Sequence, residues 1–129
     1  MAISDYRGLI VWQKAMDLVM GCHRLSQAFP DDESFGLTSQ LRRAAVSIPA
    51  NIAEVAGRGT RKAFTNHLWI ANGSLRELET HVLIAQRLND VAKEAVDETL
   101  SRTAEIGRLL VGLRRSLQRA KPASPSDES

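Results

Sequence analysis

Few residues in this sequence have the type and spacing that chemistry needs. The histidines are His23, His67 and His81, and the one cysteine is Cys22. A two-metal site between helices takes a Glu from each of two helices and a Glu-x-x-His pair from each of two others. No histidine here has Glu three residues before it. Glu77 and His81 stand four apart and can meet on one helical face, but a lone pair at that spacing is usually a surface contact or a satisfied half-buried pair. No metal and no cofactor are therefore expected. Nucleophilic catalysis fares no better. No serine sits in a Gly-x-Ser-x-Gly elbow, and Cys22 has only His23 beside it, about 100° away around the helix. Gly57-Arg58-Gly59 is too short to cradle a phosphate and reads as a turn. A single cysteine forms no intrachain disulfide. It reads as a small buried apolar residue and fits a reducing cytoplasm. The chain is not expected to be an enzyme.

Two polar patterns remain. Gln40, Arg43, Ser47, Asn51 and Glu54 recur at spacings of three, four, four and three, beside the small residues Ala44 and Ala50. The stripe suits a ligand or subunit contact, or a hydrogen-bonded helix surface; a structural role in packing or assembly is favoured over catalysis. The second pattern is basic. Thirteen of the 17 basic residues are Arg, which makes forked contacts with phosphate and carboxylate. Between Ile106 and Lys121 there are five basic residues and no acid. Arg108, Arg115 and Arg119 share one helical face, flanked by Arg114 and Lys121. Arg42, Arg58, Arg61 and Lys62 gather elsewhere. Such faces suit phosphate, yet a solvated helix face looks the same. The net charge of +2 is too small to imply nucleic acid, and no aromatic interleaving suggests base stacking.

The elements that carry these residues follow from hydrophobic period. The chain has 129 residues, 43% apolar, 25% charged and 5% aromatic, enough for one domain with a core of its own. Val11, Ala15, Leu18, Cys22 and Leu25 mark a first helix from about Leu9 to Ala28. Trp12, Met16 and Val19 widen its apolar face, either as a thick core or as an oligomer contact. Phe29-Pro30 and the acids that follow end it. A second helix is expected from about Gly36 to Ala56, with Leu37, Leu41, Ala44, Ile48, Ile52 and Val55 inward. Pro49 lies inside it and costs roughly 3 kcal/mol, so a kink near Ala45 to Pro49, or two shorter helices, is expected. Thr60 is a candidate cap for a third helix from Arg61 to Leu88, whose seam runs Phe64, Leu68, Ala71, Leu75, Leu78, Val82 and Ala85. Asn89-Asp90 breaks it. The fourth helix, from Val91 to Arg119, turns inward Ala92, Val96, Thr99, Thr103, Ile106, Leu110, Leu113 and Leu117. Short connections make the fold an all-α, antiparallel, up-down-up-down four-helix bundle over residues 1–120. Residues 121–129 form a polar, Pro/Ser-rich tail expected to be disordered. No signal peptide and no membrane span are evident, so a cytoplasmic location is expected.

Three segments carry a family resemblance: Trp12-Gln13-Lys14-Ala15-Met16, the run from Phe35 to Glu54 that includes Leu41-Arg42-Arg43-Ala44-Ala45-Val46-Ser47-Ile48-Pro49-Ala50-Asn51-Ile52-Ala53-Glu54, and Ile70-Ala71-Asn72-Gly73-Ser74-Leu75-Arg76-Glu77-Leu78-Glu79. Over residues 7 to 117 the chain resembles the bacterial four-helix-bundle family named for reading frames inside intervening sequences of 23S ribosomal RNA genes. It is also similar to the accessory variability determinant of diversity-generating retroelements. The resemblance implies a homopentameric homo-oligomer and, beyond that, binding to RNA or DNA and to a reverse transcriptase. It supplies no catalytic residues. The family pattern usually has Gly after Ala53-Glu54, where this chain has Val55. Two readings of function follow: a non-enzymatic oligomeric accessory factor that binds nucleic acid through its Arg-rich faces, or a protein-interaction scaffold with no nucleic-acid contact.

Overall fold

The computed structural model describes residues 5–33, 36–56 and 61–119. Four long helices account for most of them: α1 Ile10–Ser26, α2 Leu37–Ala56, α3 Arg61–Arg87 and α4 Lys93–Arg119. Short 3₁₀ turns precede α1 at Tyr6–Gly8 and lie between α1 and α2 at Asp31–Glu33. No strand occurs among the described residues. The helices pack in cyclic order, α1 on α2, α2 on α3, α3 on α4 and α4 back on α1, with α2 and α3 the most extensively joined pair. This is the four-helix bundle that the apolar spacing requires. The expected Gly57–Thr60 break, its cap Thr60 and the tail 121–129 lie outside the described residues.

The seams lie where the period puts them. Leu68, Ala71, Leu75, Leu78, Val82 and Ala85 of α3 are buried, as are Val96, Ile106, Leu110 and Leu117 of α4. Leu113 is half-buried against the same cluster. Each apolar side chain of this size contributes roughly 1.5–3 kcal/mol on full burial, against the entropy of ordering the chain. In α1, Val11, Ala15, Leu18 and Cys22 are buried. Its second apolar row divides. Trp12 is half-buried, edge-on to Tyr6 at 5.3 Å between ring centres, and Val19 packs on the core, but Met16 and Met20 stay exposed.

One expectation is narrowed and another corrected. Of the two alternatives at Pro49, a kink or a division into two shorter helices, the division does not occur: α2 is one continuous helix. The proline ring removes the donor that would have met the Ala45 carbonyl. That local cost is outweighed because Leu41, Ile48, Ile52 and Val55 are all buried on a single continuous helix. Ala92 is exposed rather than inward. It caps α4, its carbonyl accepting from the amides of Ala95 and Val96.

The turn between α3 and α4 is closed by a Schellman motif. Asn89 takes a left-handed φ of 62°. The Asp90 amide donates to the Ala85 carbonyl at 2.9 Å and the Asn89 amide to the Gln86 carbonyl at 3.0 Å. Asn tolerates this conformation better than most residues with a Cβ, which is why the helix stops there.

Candidate nucleic-acid interface

The polar stripe of α2 faces α3 in its middle. Asn51 Nδ2 donates to the Ser47 carbonyl at 2.8 Å, and Asn51 Oδ1 lies 2.9 Å from His67 Nδ1. An amide oxygen only accepts, so His67 carries its proton on Nδ1. Ser74 Oγ donates to Ser47 Oγ at 2.8 Å. These bonds satisfy half-buried groups where the two helices meet, which accounts for Ser47 and Asn51 as packing residues. Gln40, Arg43 and Glu54 lie outside that ladder and are exposed. Gln40 and Arg43 border a small cleft with Ser47, Ser74 and Glu77.

Beside that cleft, His81 is buried, and neither ring nitrogen has a hydrogen-bond partner. Glu77 is four residues away on the same helix with Oε2 at 3.6 Å, too long for a hydrogen bond. The pair is neither a surface contact nor a satisfied one. Cys22 is buried, and burial pushes its thiol up to about 12, so almost none of it is thiolate at neutral pH. Among the described residues no three His, Cys, Asp or Glu side chains converge as a metal site would require.

The basic residues separate. Arg42 is half-buried, its Nε donating to Ser26 Oγ at 2.7 Å and its Nη2 to the His23 carbonyl at 3.5 Å. It thus closes the C-terminal end of α1, where a cation is favoured. Arg58 and the side chain of Arg61 lie outside what is described; Lys62 is exposed. Arg108, Arg115 and Arg119 are exposed on the ridge of α4 opposite its seam, and no carboxylate pairs with them among the described residues. Arg114 turns from that ridge toward α3.

Arg114 lies over Trp69, its guanidinium carbon 6.0 Å from the ring centre. No aromatic interleaves the arginines along α4 itself; the aromatic beside them comes from α3. Trp69 is 59% exposed and stands at one end of a groove of about 420 Å³ between α3 and α4. Arg76, Arg108 and Arg114 line it, with Glu79 toward the other end. Glu79 is held by Arg76 at 3.1 Å and by the buried hydroxyl of Thr103 at 2.6 Å. Ala104 and Gly107 leave the opening, and a Cβ added at Gly107 would touch only Leu75 Cδ1 at 3.9 Å. Trp69 and Arg76 could have been found: both fall off the α3 seam, seven residues apart, so both must face outward together.

No helix among the described residues is long and apolar enough to cross a membrane. The profile of a family described as 23S rRNA-intervening sequence protein matches residues 7–112. A crystal structure of a protein of unknown function from the S23 ribosomal protein family of Bacteroides thetaiotaomicron VPI-5482 has the same fold. Its TM-score is 0.75 at 24% identity, over 81% of this chain and 98% of that one. No curated protein matches.

Proposed function

This chain belongs to the 23S rRNA-intervening sequence protein family, and we propose that it is a non-enzymatic, oligomeric bundle that binds RNA or DNA as an accessory factor. The observation that carries the reading is the α4 ridge. Arg108, Arg115 and Arg119 stand on one exposed line without carboxylates to neutralise them among the described residues. A line of free guanidinium groups is matched to phosphates, and binding releases their counterions.

Assembly multiplies a modest patch into an avid one. Its favoured surface is the outer face of α3 on the α2 side, where Ile70, Ile84 and Leu88 are exposed at 49%, 41% and 53%. Their spacing of fourteen and four residues puts them on one stripe. Burying it between copies leaves the α4 ridge open, and a pentamer is the assembly that the family likeness suggests.

The test is retention of structured RNA across a salt series, with oligomer mass measured by light scattering. Changing Arg108, Arg115 and Arg119 together to Glu should weaken retention strongly, while leaving it measurable at the lowest salt, and leave assembly intact. Losing three phosphate contacts should also reduce the salt slope by about three per protomer. An unchanged RNA signal would favour the second reading, a protein scaffold assembled through the α3 stripe.

A further inference from the structure

We propose that the α3–α4 groove seats an unpaired nucleotide, its base stacked between Trp69 and Arg114 and its flanking phosphate on Arg108. The inference rests on the nucleic-acid reading above and narrows it from phosphate contact to recognition of a single strand.

Trp69 carries the argument. An indole 59% exposed has no role in the core, and it shares its groove with the exposed Val111 and with three guanidinium groups. The groove of about 420 Å³ lies within the range of small-ligand sites. Its floor is Leu68 and Leu110, both buried, which suits the flat face of a base. Its opening exists because α4 presents only Ala104 and Gly107 there.

The separation of Arg114 from Trp69 fits a base inserted between them. Stacked carbon surfaces separate by about 3.5 Å, so a base held between indole and guanidinium needs about 7 Å. Arg114 already stands 6.0 Å from the ring centre. An outward swing of about 1 Å admits the base, with stacking on one side and a cation on the other.

Charge sets the polarity. Three guanidinium groups line the groove against one carboxylate. Glu79 is tied to Arg76 and Thr103, so the phosphate end is at Arg108. Arg108 also belongs to the α4 ridge, which continues the phosphate path out of the groove. A duplex keeps its bases in the stack and can use the ridge only. A single strand can use both.

The test uses the full chain with Trp12→Phe, which leaves Trp69 as the reporter indole. The probes are a short poly-uridine strand and an RNA duplex of equal length. The single strand should quench Trp69 emission and the duplex should not. Trp69→Ala should weaken single-strand binding by about tenfold, leave duplex binding unchanged, and be largely rescued by Trp69→Phe. Gly107→Leu, which fills the groove from its α4 side, should reproduce the loss without replacing the indole. Equal affinity of Trp69→Ala for the single strand overturns the groove and leaves the ridge reading standing. So does a change of oligomer mass in Trp69→Ala in place of a change in affinity. Failure of both probes to bind wild-type protein at low salt overturns both readings.

Discussion

Replacing His81 with Leu should make the protein more stable. The imidazole is 8% exposed, and each of its nitrogens is shut off from water without a hydrogen-bond partner. A buried polar group left unpaired costs about 1–3 kcal/mol. Two such groups give about 2–6 kcal/mol, reduced because the exposed Glu77 carboxylate at 3.6 Å still attracts the ring. Leu is of similar length, apolar, and the better helix former. The net expected gain is about 1–3 kcal/mol. With a urea slope of about 2 kcal/mol per molar, the unfolding midpoint rises by roughly 0.5–1.5 M. The measurement is urea denaturation followed by circular dichroism at one fixed protein concentration, because the proposed assembly would make the midpoint depend on concentration. His81→Gln, which keeps two polar groups in the same place, should show no gain. A midpoint that stays put or falls for His81→Leu refutes the reasoning, because it means the imidazole is paired in solution.

Arg42→Ala should lower stability by about 1–2 kcal/mol through loss of its bond to Ser26, and leave RNA retention unchanged in a filter assay. Thr103→Val removes the 2.6 Å hydrogen bond to Glu79. A bond to a charged acceptor is worth about 1.5–3 kcal/mol, so a lowered urea midpoint is expected, and a double-mutant cycle with Glu79→Gln should show coupling. Cys22, raised from 9.0 to about 12, holds about a thousandfold less thiolate near pH 8 than an ordinary thiol. Iodoacetamide should label it, as read by mass spectrometry, only after unfolding.

The bundle was legible because two seams keep their alternation without a break. Leu68 to Ala85 and Val96 to Leu117 could only be helices with one wet side. Asn89 was legible as a stop for a local reason, its tolerance of left-handed backbone. Pro49 showed a local cost but not whether the helix would continue through it, because the burial that outweighs that cost comes from the other helices and not from its neighbours in sequence. The basic residues were the least legible. Arg42 and Arg108 look alike in a sequence, yet one closes the end of α1 and the other is exposed. Helical period says which way a side chain leaves its own helix. It does not say what the next helix brings to meet it, so the pairing of Trp69 with Arg114 required the packed bundle.

The left-handed residue between α3 and α4 is also the zero mark of a ruler. Every pairing across these two helices is counted from it, backward along one and forward along the other. One residue inserted after Asn89 would turn α4 by about 100° beneath a fixed α3. The leucines would still find oil somewhere, and the chain could still collapse into a bundle. Thr103 would no longer reach Glu79, however, and Arg114 would leave the indole. Length at this hairpin is therefore constrained more tightly than composition, and surveys of natural variants should find substitutions there far more often than insertions or deletions.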